Sequence, residues 1–513
     1  MPWDREDLRH RFNDGRAYDV GLSDDAGAAN NLGFATTQAY APVQYAVERI
    51  DEYIEYTLYG VKNDTAKPPF KSLQLPEPNN GVRMTLFYYN QTYFPWNYTE
   101  EVECGSVAGL NYNWCMTESQ ANATYRGFNY PHQIASYYAM YRVARNHDKL
   151  TTKQTWRWYL ERAANTTLRL PPAPIGYMDG TIFREVLRSL LEENATDTRP
   201  DTKWDYLGTK LLAVQARRGL YWKTALYPYG SEFSYDTTGQ EEVVVWTLYF
   251  GYDDAAKRTV DHILSYMRHL PNAMYMGGAV AGDVANGGKY LATAGTGVGD
   301  YGKMHYRAGL NQIPLMEYYR RYPDERFLLE IAVGAQSGQL NNIDETGAPA
   351  IYYHAYPHMQ DFDAYSGDYG LGFFGSSLEA AATVVADPNL GMLCYLCNIV
   401  DGDGSDTASA SVILEPRDAY RQRVYIEPLG VLLQSDTALI KSVSLTLADR
   451  TLTVTFSEGD SYTKLRLRAD KMSRPGLRPG QNFTVAVPAG VTTSRDAFEA
   501  PASTLAMTLT WLQ

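Results

Sequence analysis

Cysteine and histidine are scarce, four and eight residues in a chain of 513. So few cysteines exclude a fold held by a dense disulfide framework. No run of about 20 apolar residues occurs, which excludes a membrane-spanning helix. The opening residues, MPWDREDLRHRF, contain no apolar stretch, so no secretory signal is visible. Basic excess is absent as well: 46 Lys and Arg stand against 59 Asp and Glu, a net charge of −13. A protein that tracks a phosphate backbone needs clustered cations, so a nucleic-acid partner is not expected.

What the chain does have is tyrosine, 42 residues against 41 glycines. A phenol ring offers an apolar face with a polar tip, suited to core packing and to stacking on sugars. Most of these rings are expected in the core, the ordinary place for aromatics. Seven Asn-x-Ser/Thr sequons occur, at Asn63, Asn90, Asn97, Asn122, Asn165, Asn194 and Asn482. Chance would place roughly three among this many asparagines, and the excess points to a secreted glycoprotein. The absent signal and the interior-like stretch GLSDDAGAANNLGFATTQAY together suggest a chain without its natural start.

The length predicts at least two domains. Helical periodicity dominates to about residue 390. QYAVERIDEYIEYTLYG, HQIASYYAMYRVARNH, QTWRWYLERAANTT, DGTIFREVLRSLLEEN and WDYLGTKLLAVQARRG read as helices, as do EEVVVWTLYFG and KRTVDHILSYMRHL. KMHYRAGLNQIPLMEYYRRY, DERFLLEIAVGAQSG and SSLEAAATVVA complete the series. Some are amphipathic and others apolar all round, as concentric layers of helices require. From about residue 405 the period becomes two, in segments such as SASVILEP and KSVSLTLADRTLTVTF. LADRTLTVTFSEGDSYTKLRLR reads as a meander with turns at 448–450 and 458–460. DGDGSDTAS (401–409) reads as the linker between domains. Its Asp401, Asp403 and Ser405 echo a calcium loop, but the twelfth position carries no Glu, so no metal is expected. Cys104 and Cys115 bracket a Gly/Asn-rich loop suited to a disulfide. Cys394 and Cys397 lie in apolar sequence with no second ligand pair, which favours buried thiols or a local disulfide over zinc.

Many helices followed by a compact antiparallel β-domain resemble the six-hairpin glycosidases, carbohydrate-active enzymes built on an α/α toroid. LSDDAGAANNLGFA, YDTTGQEEVVVW and YSGDYGLGFFGSS are similar to a family of secreted fungal and bacterial proteins of unknown function in that superfamily. The resemblance implies a mainly α fold: a toroid over 1–400, then an antiparallel β-sandwich over 401–513. In that family a β-sandwich often precedes the toroid. Its absence here fits a missing start.

Three stretches could carry chemistry. YGSEFSYDTTGQEEVVVW places Glu232, Asp236, Glu241 and Glu242 ahead of an apolar helix. Thr238 and Glu241 form a capping-box pattern, a structural duty for Glu241. The helix, buried on all faces, is expected to be an inner one, with its amino-terminal acids at the rim of a central cavity. There the helix dipole keeps carboxylates ionised. YYHAYPHMQDFDAYSGDYGLGFFGSS carries His354, His358, Asp361, Asp363 and Asp368 among rings that include Tyr365 and Tyr369. Rings, acids and hinge glycines together suit a sugar subsite. KMHYRAGLNQ supplies His305, Tyr306, Arg307 and Asn311, a set a polysaccharide lyase could use, with Tyr as base. The reading favoured is glycoside hydrolysis, with Glu241 or Glu242 as acid and Asp368 as its partner, and Asp363 or Glu232 in reserve. Substrate contacts are expected from Glu232, Asp236, His305, Tyr306, Arg307, His358, Asp363, Tyr365 and Tyr369. A lyase or a non-catalytic glycan binder is the alternative. No cofactor is expected, and the carbohydrate is the expected partner of a monomer.

Overall fold

The computed structural model describes residues 3–4, 9–10, 30–59, 72–85, 118–178, 180–225, 239–266, 305–338, 351–356, 359–363, 369–459, 461–472, 485–486 and 490–511. Among them, twelve α-helices precede two large sheets. The helices are α1 (Asn30–Gln38), α2 (Gln44–Tyr53), α3 (Glu118–Ala121) and α4 (Asn129–Asn146). Next come α5 (Trp156–Leu168), α6 (Ile182–Thr196), α7 (Trp204–Thr224) and α8 (Gln240–Tyr249). The last are α9 (Asp253–Tyr266), α10 (His305–Arg321), α11 (Arg326–Gly338) and α12 (Tyr369–Glu379).

Each of α4, α6, α8 and α10 packs on the helix that follows it in sequence. A second set of contacts links alternate helices: α1 with α4, α4 with α6, α8 with α10, α10 with α12, and α12 back to α1. Partners in this second set run the same way. Along α4 and α6, Tyr138 meets Ser189 and, one turn on, the Tyr141 hydroxyl donates to Glu193 at 2.8 Å. Along α10 and α12, Gly309 faces Gly372 and Gly375, Gln312 donates to Ser376 at 2.7 Å, and Arg320 reaches Glu379. The glycines are required there. A Cβ on Gly309 would lie 2.4 Å from the Gly372 backbone, so only glycine lets the two helices touch.

The sequence pattern explains these elements well. α8 is the apolar segment expected to be buried, and every residue from Gln240 to Leu248 is. Valines at 243–245 favour strands in isolation, but burial on all faces overrides that preference. Elsewhere tertiary structure departs from the pattern. SSLEAAATVVA is not one helix: α12 stops at Glu379, and Ala382–Asp387 is a strand. Covered on both faces, that strand shows no alternation and mimics a buried helix in sequence. At the start of the 352–377 stretch, whose rings, acids and glycines suggest a loop, lies a hairpin of β3 (Ile351–Tyr356) and β4 (Met359–Asp363). Ile351, Tyr352, Tyr353, Tyr356 and Phe362 are residue types that favour strands. A further two-stranded piece pairs β1 (Trp3–Asp4) with β2 (Arg9–His10).

The seven-stranded sheet contains β5 (Ala382–Asp387), β6 (Gly391–Tyr395), β9 (Arg423–Ile426), β10 (Val431–Ser435), β13 (Lys464–Lys471), β15 (Thr492–Ser494) and β16 (Ala497–Pro501). The six-stranded sheet contains β7 (Cys397–Asp403), β8 (Ser411–Pro416), β11 (Ile440–Thr446), β12 (Thr451–Phe456), β14 (Val485–Ala486) and β17 (Ala506–Trp511). Pairing is antiparallel except between β5 and β9. One hydrophobic core, with Val384, Val424 and Leu467 from the first sheet and Val443, Val454 and Leu509 from the second, lies between them. The strands of the two large sheets therefore begin at Ala382, ahead of residue 401, and the expected linker includes the end of β7. The β11–β12 turn is as expected. β12 and β13, expected as meander neighbours, instead lie in different sheets: β12 pairs with β11 and β17 while β13 pairs with β10 and β16. Cys394 and Cys397 form the local disulfide, joining β6 of one sheet to β7 of the other.

The seven-stranded sheet turns its other face to the carboxyl-terminal parts of α4, α6 and α10. Buried charges join the two layers. Arg468 on β13 donates from Nη2 to Glu192 of α6 at 2.9 Å and from Nε to Asp436 at 2.8 Å. Burial opposes ionisation of Asp436, but Arg468, Arg466 and Arg142 hold its carboxyl far below the usual range. Glu193, fully buried, accepts from Tyr141, from Arg145 at 2.8 Å and from Arg495 at 3.3 Å. Nearby, Arg423 of β9 donates to the Tyr40 hydroxyl at 3.1 Å, and Tyr425 donates to the Arg320 carbonyl at 3.3 Å.

Removing one member of such a network strands its partners without water. Arg468→Ala is expected to destabilise the chain by about 3–5 kcal/mol, measured by urea unfolding. Lys257→Ala, which breaks an exposed pair with Asp261, should cost less than about 1 kcal/mol. Equal losses for the two would contradict a seam of buried charge.

Candidate active site

The acid-rich stretch before α8 enters the helical layer at a tight crossing. Gly239, with φ of +86°, precedes the helix, and a Cβ there would lie 2.3 Å from the Gly176 carbonyl oxygen. This geometry replaces the expected capping box. The helix starts at Gln240 with glycine as its cap residue, so no cap side chain exists to close the box.

Glu241 and Glu242 then fall in the first turn, and both are fully buried. Glu242 accepts from Arg218 Nε at 2.6 Å, from Arg218 Nη2 at 2.7 Å and from the Tyr177 backbone N–H at 2.7 Å. Arg218 comes from α7 and also donates to the carbonyls of Ala173 and Ile175. One guanidinium thus ties α7, α8 and the 173–177 segment together, and Glu242 neutralises it. Gly180 packs against the Glu242 side chain so closely that any Cβ there would sit 2.7 Å from it. Glu242 therefore has a positioning duty. The sequence pattern around Glu242 contains no sign of Arg218, which lies 24 residues away.

Of the other expected site residues, four lie in the first turns of helices. His305, Tyr306 and Arg307 form the first turn of α10, Tyr369 opens α12, and Asp363 closes β4. For these five the backbone alone is described. Asn311, one turn further along α10, is fully buried. His354 pairs with Gln360 and Tyr353 with Asp361 across the β3–β4 hairpin. Glu232, Asp236, His358, Tyr365 and Asp368 lie outside the described residues, as do Cys104 and Cys115. Because α10 and α12 are parallel and in contact, their amino-terminal ends lie at one end of the layer. α8 shares the sense of α6: Glu242 meets the segment just before α6, while Tyr249 at its far end lines a cavity with Arg184.

That cavity, about 340 Å³, lies at the opposite end, where the helices meet the seven-stranded sheet. At its floor Arg320 and Glu379 pair with side chains only 2% exposed. Arg184 stands among three carboxylates, 2.9 Å from Glu185, 2.5 Å from Glu317 and 3.8 Å from Glu379. Burial, then the Glu317 charge, push the Glu379 carboxyl up to about 8 despite Arg320 and Arg184. Burial also opposes ionisation of Glu317, but Arg184, a hydrogen bond with Glu379 and the Arg320 charge together outweigh it and hold that carboxyl below the usual range. Neighbouring carboxyls with separated affinities can share one proton, a common arrangement in acid–base sites. Sequence reasoning passed over both glutamates. Their signal was slight: each is a lone acid in apolar sequence, LMEYY and SSLEAAA. Among the described residues no group of three or more acids, histidines or cysteines suits a metal. No helix there is long and apolar enough to cross a membrane.

A family described as "Family of unknown function (DUF5695)" matches residues 1–504, and the chain belongs to it. No curated protein and no solved structure matches.

Two outcomes are expected. Arg218→Ala should destabilise the fold by about 3–5 kcal/mol in chemical unfolding, because it leaves Glu242 buried and unpaired. A small effect would contradict the clamp. Glu379 holds its proton in the folded chain up to about 8, whereas its ordinary value is 4.5. Its contribution to stability is complete below the ordinary value and is lost as pH rises through the folded one. Buried His147, lowered to about 4 from 6.5, gives the opposite slope only below 6.5. Melting temperature should therefore fall between pH 6.5 and 8.5, and Glu379→Gln should flatten that slope. A slope unchanged in the variant would contradict a retained proton.

Proposed function

We propose that this chain is a glycoside hydrolase with its cleft at the end of the helices away from the sheets. The observation that carries the reading is the parallel packing of alternate helices. It gathers the amino-terminal ends of α10 and α12, and the sense of α8 adds a third, at one face. The segments feeding those ends carry the acids and rings named above. An α/α toroid requires this pattern: parallel inner helices, each paired with a neighbour in sequence, and a last helix that returns to the first. The contact of α12 with α1 supports closure. The β-domain at the opposite end supports the likeness to six-hairpin glycosidases.

In this reading a carboxylic acid protonates the departing glycosidic oxygen while a carboxylate on the other side activates water or attacks. Glu242 is already engaged by Arg218, so Glu241 is the candidate acid and Asp368 its partner, with Asp363 and Glu232 in reserve. Rings at Tyr365 and Tyr369 would give the sugar a flat face. The sequon excess and the Cys394–Cys397 disulfide support action outside the cell, where disulfides persist.

The test is a panel of neutral and acidic glycans scored both for new reducing ends and for ultraviolet absorbance. New reducing ends without absorbance are expected, with Glu241→Gln and Asp368→Asn each lowering the rate by about 10²- to 10⁴-fold while the folded state persists. Absorbing, unsaturated products dependent on Tyr306 and Arg307 would instead make the chain a lyase. Binding without turnover on any glycan would make it a sugar-binding protein.

A further inference from the structure

The cavity between the helices and the seven-stranded sheet has no part in the proposed cleft, yet it is built like a receptor site. Its volume, about 340 Å³, falls in the range that encloses a small organic ligand. Glu379 and Arg320 form a buried polar floor. Arg320 Nε, also buried, has no hydrogen-bond partner. Arg188 and Asp470, about a third exposed, stand at the mouth. Leu191, 47% exposed, and Tyr249, 44% exposed, add apolar surface beside them.

The charges define the ligand class. Four arginines line the cavity, Arg184, Arg188, Arg320 and Arg423. Five carboxyls face them, Glu185, Glu317, Glu379, Asp470 and Asp496. Three of the arginines are already paired within the lining, Arg184 with Glu317, Arg188 with Asp470 and Arg320 with Glu379, so the charges are met where they stand. Such a lining holds neither a surplus cation for an anionic ligand nor a surplus anion for a metal or amine. It does offer guanidinium donors and carboxylate acceptors side by side, with apolar surface from Leu191 and Tyr249. A polyhydroxylated ring matches that pattern, since each hydroxyl both donates and accepts and its C–H face packs on Tyr249.

We infer that this cavity is a binding site for a neutral monosaccharide or a similar uncharged polyol, separate from the proposed cleft. The inference does not depend on hydrolysis. A chain that cleaves nothing could still hold a sugar here.

The experiment is ligand-observed NMR on the full chain at pH 7 with glucose, galactose, mannose and xylose, against glucuronate and acetate as charged probes. Two variants at exposed positions accompany it: Tyr249→Ala, which removes the ring, and Leu191→Trp, which narrows the mouth. Unchanged circular dichroism and melting temperature establish that they fold. The expected result is binding of at least one neutral sugar, weakened tenfold or more by both variants, with glucuronate and acetate bound more weakly. Sugar binding that both variants leave intact would place the site elsewhere and overturn the inference while leaving the cleft proposal standing. Absence of any neutral sugar, or a preference for the charged probes, would also overturn it.

Discussion

The carboxylate of Asp436 holds the molecule's two layers in register. It is buried with Arg468, Arg466 and Arg142 around it, and Arg468 extends the network to Glu192 on α6. A charge so enclosed cannot be relocated by sliding one layer on the other without leaving a guanidinium or carboxylate unpaired. Apolar contacts reinforce this, with Val385, Tyr425 and Leu432 of the sheet packed among the helices that carry Val244, Leu315 and Leu329. The sheet is therefore a fixed base for the helical layer, not an appended module.

The proposed chemistry would follow from that constraint. The carboxyl ends of α1, α4, α6 and α10 are committed to the sheet, through Tyr40, Arg142, Glu192 and Arg320, so in the proposed reading the amino ends of this set are left for long connections to assemble a cleft. Helix amino ends favour negative charge through their unpaired N–H groups. The same logic explains the cavity at the seam. Where long polar side chains from α6, α10 and α12 meet strands, they cannot pack as tightly as Leu and Val, and a charged space is left between the layers.

Much of this was legible in sequence. The helical stripes of α6 and α7 and the alternation in β11 and β12 read directly, because each has one face buried and the other more open. β5 did not, because it is enclosed between β6 and β9 with both faces covered and loses the alternation that identifies strands. Glu242 read as a substrate-facing acid because its partner Arg218 sits on another helix, and nothing local reports that pairing. Glu317 and Glu379 went unread for the same reason: their character comes from Arg184 and Arg320, brought together only by folding. The Gly309–Gly372 contact was similarly invisible, since a glycine in sequence does not say which backbone it will meet.

The central claim is that acids at the helices' amino-terminal face converge on a sugar. A crystal structure with a neutral oligosaccharide bound tests it most directly, through the distance between the carboxyls of Glu241 and Asp368. The account predicts a sugar between them and a separation of about 5–9.5 Å, the range glycosidases use. Carboxyls much farther apart, or a chain with no sugar at that face, would contradict it.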